Sequence, residues 1–423
     1  MKKYDYIVVG NGLMGSAAGR YLSEMGGSVA IIGPGEPEDH ATHEGVFSSH
    51  YDQGRLVREL SQDPIWSIAS RLAVQKYGML EERSGLSFHG PVGRVLANNP
   101  SPEERRELLD WLEQASQEYG IAYQYFEKGD RSWKKLFPYL DFPEEYDLFY
   151  EPAPAGYINP RQMLRAQNVI AQQCGAEVVA ERVVGVVSTA DSVTVTTAEG
   201  NQYVGEKVLI ACGAFTNFNN LLPQPIPLRL KTEAMIWADV DEETAVRLQT
   251  MPGVGYDIDD PDLDDIYMAP PVLYPDGKYK VKMGCNTAHE SWPETLAEVQ
   301  DWFRRGHSDE DKPAMAEALQ SVLPEVQFGA MTTHCCIVTY TPSGYPTIDG
   351  APGDVYGRLF IATGGNGSSA QGSDTFGWLA AGWMVDGRWP DDLPRQPFLA
   401  TNKWGESKKK LTKAQERAFA KVE

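Results

Sequence analysis

The stretch from Tyr4 to Ile32 constrains this chain more than any other. An apolar run, Tyr4-Asp5-Tyr6-Ile7-Val8-Val9, leads into Gly10-Asn11-Gly12-Leu13-Met14-Gly15. A helical pattern from Ser16 to Met25 follows and stops at Gly26-Gly27, and Val29-Ala30-Ile31-Ile32 forms a second β-rich run. Strand, glycine turn, helix and strand make a βαβ unit. Its three glycines serve a tight turn, a close backbone approach to a pyrophosphate, and helix–strand packing. The helix N-terminus would offer free N–H groups and a positive dipole end to the phosphates. Gly10, Gly12, Leu13, Met14 and Gly15 are therefore the expected dinucleotide cradle. An ordinary βαβ turn is the alternative, and the position between a strand and a helix argues against it. One feature departs from the pattern. The acid that usually ends the second strand and binds the ribose is replaced by Gly33, leaving Glu36, or else backbone or water, for that task.

Charge and cysteine content narrow the function classes. Across 423 residues the formal net charge is −21, which disfavours nucleic acid and anionic membrane surfaces as partners. No apolar run approaches the ~18–20 residues of a membrane-crossing helix. Met1-Lys2-Lys3 passes straight into the first strand with no cleavage-site pattern, so a cytoplasmic location is expected. Five cysteines (Cys174, Cys212, Cys285, Cys335, Cys336) are odd in number and lack CxxC spacing, suggesting neither a disulfide framework nor a zinc site. His40 and His43 read as solvated loop, and no metal is expected. The acidic run Asp257–Asp265 lacks the glycine and terminal glutamate of a calcium loop and also reads as solvated.

The remaining pattern alternates between two kinds of material. The expected fold is α/β: a Rossmann-type domain of residues 1–97, 156–227 and 331–400, interleaved with an α+β substrate domain of 98–155 and 228–330 on an antiparallel sheet, and a basic tail, 401–423, read as a weakly helical appendage. Pocket walls are expected from both 98–155 and 228–330. Arg55 and Arg58, three apart, would share a face of a helix. A second glycine-rich turn, Gly364-Gly365-Asn366-Gly367-Ser368, follows a strand and precedes a helix, so its N–H groups could stabilise negative charge on a ligand.

Three separated blocks carry a family resemblance: the N-terminal glycine fingerprint; Ser49-His50 with Arg55 and Arg58; and Cys336-Ile337-Val338-Thr339-Tyr340-Thr341-Pro342 with Ile348-Asp349 and the Gly364–Gly377 loop. Together they resemble the monomeric sarcosine oxidase and N-methyltryptophan oxidase branch of the FAD-dependent amino-acid oxidases, over nearly the whole chain. The resemblance implies FAD, bound also by Ser48, Ser49, Val183 and Gly213, with the 364–371 loop along the ring edge and a covalent link through Cys336, or through the adjacent Cys335. It places Arg55 by the flavin face, His50 among the catalytic residues, and Arg58 on the substrate carboxylate, with Tyr51, Tyr267 and Gln371 near the substrate. It gives Lys282 the promotion of the reaction with O2. Lys282 alternates with Val281 and Met283 and so should face away from them. Two departures weaken the match to a minimal substrate: Gln371 stands where the family has a second carboxylate-binding cation, and Tyr51 where it has a second histidine.

The implied activity is oxidation of a secondary or N-methylated amino acid. Hydride passes from the carbon beside nitrogen to FAD, the imine hydrolyses, and O2 is reduced to H2O2. The alternatives are an FAD-dependent dehydrogenase serving a quinone or carrier protein, and an NAD-binding or non-catalytic protein. The oligomeric state is open, a monomer being compatible with the sequence.

Overall fold

A computed structural model describes residues 2–61 and 63–405. Its first sheet is built on the expected βαβ unit. Lys3–Val9 lies between Val29–Ile32 and Gln202–Ile210, parallel to both, and Glu177–Val179 extends the sheet beyond Val29–Ile32. The long strand Gln202–Ile210 changes partner along its length. Its first half pairs antiparallel with Val193–Thr197, and its second half parallel with Leu359–Thr363. Leu359–Thr363, far along the chain, thereby joins the sheet of the first strand. The inner strands are buried on both faces, which explains their unbroken apolar runs.

The helix Leu13–Glu24 packs on this sheet together with Ser373–Asp386. The two are tied by a buried polar knot: Arg20 Nη2 donates to Asp374 Oδ1 at 2.8 Å, and Gln167 Nε2 donates to the same oxygen at 2.7 Å. A buried charge pair of this kind is tolerated where further hydrogen bonds satisfy it. It fixes the helix after the first glycine turn to the helix after the second.

The second sheet has eight strands in the order 331–340, 229–240, 279–287, 263–273, 253–256, 94–98, 147–151 and 124–126. Every neighbouring pair is antiparallel except Gly253–Tyr256 with Arg94–Asn98, which is parallel. This sheet and the helix Lys312–Val322 enclose a separate core that includes Val281, Met283 and Leu319. Arg94–Asn98 and Met331–Tyr340, expected in the nucleotide-binding portion, are hydrogen-bonded into this second sheet, so two of the four expected crossings, at 97/98 and 330/331, are each displaced by one strand. Two local readings are also corrected. Arg55 lies in a short strand, Arg55–Val57, with Arg58 just beyond it, because Arg55–Val57 pairs with Gly156–Ile158 rather than coiling. The acidic run is not all loop: Leu263–Leu273 is a strand that begins inside it and carries Asp264 and Asp265. The tail reading falls largely on residues 406–423, outside the described residues. Among the described residues no helix is long and apolar enough to cross a membrane.

Candidate active site

One cavity of about 540 Å³ runs between the two sheets. Its first end is made mostly of backbone. Gly10, Gly12, Leu13 and Met14 line it, beside Gly33, Val183 and Gly213. Gly10 has φ +106°, and a Cβ there would stand 2.3 Å from Ala211 O, so only glycine lets the two parallel strands and the turn close together. Gly15 lies outside the wall. A Cβ on it would meet Gly10 O at 1.9 Å, so its hydrogen is what allows the helix to start directly behind the turn. That helix has no side-chain cap and no acid in its first turn, leaving its first N–H groups for a ligand. Gly33 is explained by the same crowding: a Cβ there would lie 2.5 Å from Asn11 N, so no acid fits at that place. Glu36 does not reach the wall. Its carboxylate is held by Arg161 in a two-point contact, Nη2 to Oε1 at 2.6 Å and Nε to Oε2 at 2.8 Å.

The second glycine turn closes the cavity from the other side. Gly364, Asn366, Gly367, Ser368 and Gln371 line it. Gly365 does not; a Cβ there would press on the Ser369 side chain. Asn11 Oδ1, Asn366 Nδ2 and both amide atoms of Gln371 are buried without a hydrogen-bond partner among the described residues, and all three residues line the cavity. Buried polar atoms are rarely left unpaired. Orphans clustered on one cavity fit a polar ligand that completes them.

The other end is built from side chains. Ser48, Ser49, His50 and Tyr51 reach the wall from the loop before Arg55. His50 Nδ1 lies 2.5 Å from Ser48 Oγ, and burial lowers its pKa to about 4, so the ring is neutral at neutral pH. Arg55 Nη2 donates to Ser49 O at 2.7 Å and stands 4.0 Å from Cys336 Sγ. Cys336 lines the cavity and Cys335 does not, which separates the two neighbours. Burial raises the Cys336 thiol, and the Arg55 charge opposes that rise. Tyr267 also lines the cavity and donates to Glu233 Oε1 at 3.0 Å. Arg58 reaches the wall and makes no ion pair or hydrogen bond among the described residues; burial lowers its pKa.

Lys282 is placed differently from expectation. Val281 and Met283 face the core as their alternation implies, but Lys282 is neither solvated nor part of the wall. It is fully buried one layer behind, donating to Asp52 Oδ2 and, at 3.0 Å, to Gly54 O. Asp52 also accepts from Tyr274 at 3.0 Å and lies 3.3 Å from Arg55 Nε. Burial would raise the Asp52 carboxyl, yet Lys282 and Arg55 draw it down to about 2. Lys282 thus backs Arg55 through a shared carboxylate, and its ammonium lies 5.0 Å from the Tyr267 ring centroid.

Segment 98–155 supplies no wall residue, against expectation; residues 233–303 and Arg94 do. Sequence reasoning missed Arg94, Glu233 and Asp265. The available signal was a charged residue inside an otherwise apolar strand, as in Gly93-Arg94-Val95-Leu96-Ala97.

Comparison with known proteins agrees with this architecture. The model of the family described as FAD dependent oxidoreductase matches residues 5–383. Monomeric sarcosine oxidase of Arthrobacter sp. (strain TE1826) is 24% identical over 401 residues, covering 93% of this chain and 95% of that one. N-methyl-L-tryptophan oxidase of Yersinia pestis (strain Pestoides F) is 23% identical over 251 residues, 56% of this chain and 60% of the other. Among solved structures, the Tyr258Phe mutant of NikD, an unusual amino acid oxidase essential for nikkomycin biosynthesis, superposes with TM-score 0.74 at 18% identity over 94% of this chain and 97% of that one. L-proline dehydrogenase from P. horikoshii gives 0.69 at 17% identity over the same shares of the two chains.

Proposed function

This chain belongs to the FAD dependent oxidoreductase family, and on that premise we propose that it oxidises the C–N bond of a secondary or N-methylated amino acid, with O2 as electron acceptor. FAD, when bound, accepts a hydride equivalent from the carbon beside nitrogen and passes the electrons on. Two groups of residues suit it: the Gly10–Met14 turn with its uncapped helix for the pyrophosphate, and Asn366, Gly367 and Gln371 for polar atoms of the ring system. The relatives named as sarcosine and N-methyl-L-tryptophan oxidases support this choice of substrate.

The chain's own side chains bind and orient. Arg58 offers an unused guanidinium to the substrate carboxylate, which it can grip at two points. Tyr267 stays a phenol, because burial and the neighbouring Glu233 hold its pKa well above the ordinary value. His50 is neutral and cannot serve as a general acid near neutral pH. An amine that binds unprotonated needs no proton removed before its carbon is oxidised, and no residue is assigned as a base. Arg55, backed by Asp52 and Lys282, keeps positive charge at the cavity wall, where it favours the negative charge that builds up as O2 is reduced. Cys336 is the residue assigned to a covalent flavin link.

The observation that carries this reading is the meeting of Arg58, Cys336 and both glycine turns on one cavity. The test is direct: N-methyl amino acids added without air should bleach the visible absorbance of the yellow protein. Failure across amines of all sizes defeats the reading. The withdrawal of Lys282 behind the wall favours one second reading, a dehydrogenase that hands electrons to a quinone or carrier protein. Slow recovery of colour in air, with rapid recovery on adding a quinone, would select it.

A further inference from the structure

Arg94 presents to the cavity a second cation that the cofactor does not require. It projects from Arg94–Asn98, in the sheet that also carries Tyr267 and Cys336 and not in the one that carries the first glycine turn. Only 8% of its surface is exposed, yet Nε has no partner and the guanidinium makes no ion pair among the described residues. A buried, uncompensated charge is costly and is retained where something completes it. Its natural structural partner would be Glu151, directly opposite in register. That pair does not form. Glu151 Oε1 accepts instead from the backbone N–H of Glu59 at 2.7 Å and of Leu60 at 3.2 Å, and burial pushes its carboxyl up to about 7. Burial and the nearby Arg58 charge lower Arg94 to about 9, so its guanidinium carries charge at neutral pH. The strand opposite makes room: a Cβ at Gly255 would stand 3.0 Å from Arg94 Nη2. Asp265 also lines this part of the cavity, where its surface is exposed, and among the described residues it makes no ion pair with Arg94 or Arg58; withdrawal from bulk water and the neighbouring Asp264 raise its carboxyl.

We propose that Arg94 and Arg58 together bind the substrate's carboxylate, making Arg94 a residue that selects amino acids over simple amines. Two guanidinia facing one cavity, neither in an ion pair among the described residues, supply the complementary charge and the forked donors that a carboxylate needs. The assignment rests on the amine-oxidation reading above for its turnover consequences but not for its binding consequences.

The test uses the full-length flavoprotein. Glutarate and acetate, which cannot be oxidised at a C–N bond, are titrated against the flavin visible spectrum in wild type, Arg94→Met, Arg94→Lys and Gly255→Ala. Arg94→Met should weaken carboxylate binding by about tenfold or more, corresponding to about 1.4 kcal/mol, with Arg94→Lys recovering part of the loss and Gly255→Ala weakening it through displacement of the guanidinium. KM for an N-methyl amino acid should rise by the same factor, while KM for the matching amine without its carboxylate stays put and kcat changes little. Unchanged carboxylate titration in Arg94→Met overturns the proposal, as does an equal rise in KM for the amine lacking the carboxylate, or loss of flavin. If Arg94→Met does not fold, Arg94→Lys and Gly255→Ala decide on the same criteria. Should wild type oxidise no amine, the functional reading fails, while the carboxylate titration still decides the role of Arg94.

Discussion

The two ends of the cavity are made of different material. At the glycine end, backbone does the shaping: Gly10 and Gly33 let main chain approach main chain within distances that any Cβ would violate, and Gly12 starts a helix whose first N–H groups are open. At the arginine end, shape and charge come from side chains on four strands: Arg55 and Arg58 from one short strand and its end, Arg94 from a strand of the second sheet, and Tyr267 and Glu233 from two further strands of that sheet. The first end admits no side chain at Gly10 or Gly33 and suits a chemically constant group. The second can exchange charges one at a time, and this lets a fold keep its cofactor while changing its substrate.

The contrast can be broken most forcefully at Gly10. Gly10→Ala forces a positive φ on a residue with a side chain and drives its Cβ into Ala211, so the protein should purify colourless or not fold; visible absorbance and circular dichroism check this. At the arginine end the largest effect is on stability. The Glu151 carboxyl titrates at about 7 in the folded chain against 4.5 unfolded, so the folded form holds a proton that the unfolded form has released. Stability should therefore be greatest below pH 4.5 as far as this group is concerned, and fall as pH rises to 7, by about 3 kcal/mol at most. Glu151→Gln should flatten that slope in denaturant titrations. Lys282→Met leaves Asp52 with Arg55, Tyr274 and the backbone N–H of Gln53. It should slow reoxidation by air on the order of 10²-fold without abolishing anaerobic bleaching, if charge behind the wall assists O2. Arg58→Met should raise KM for the amino acid roughly thirtyfold, about 2 kcal/mol, with the flavin spectrum intact. The smallest effect on folding is expected for Cys336→Ser. The protein should remain yellow in buffer, and the colour should move from the acid-precipitated pellet to the supernatant.

These tests also separate what could be read in advance from what could not. The βαβ unit, both glycine turns and the alternation around Lys282 were legible because each depends on residues adjacent in sequence: an apolar run, a turn that needs glycine, a period of two. Lys282 shows the limit. Alternation correctly turned it away from Val281 and Met283, but nothing local indicated that Asp52, 230 positions earlier, would capture it behind the wall. Glu36 failed for the same reason, being claimed by Arg161.

The amino-acid sequence alone therefore determined the places where the backbone must bend tightly or approach another chain segment, since a missing Cβ acts within a few residues and leaves a local signature. The tertiary structure alone decided which charges remain unpaired and facing the cavity. Arg94 is one ordinary strand arginine in sequence. It becomes a candidate ligand for a carboxylate only because Glu151 turns to backbone N–H groups, Gly255 yields space, and Arg58 arrives from the end of the short strand Arg55–Val57. Electrostatic pairing acts through space, so its outcome is set by which segments the fold brings within reach.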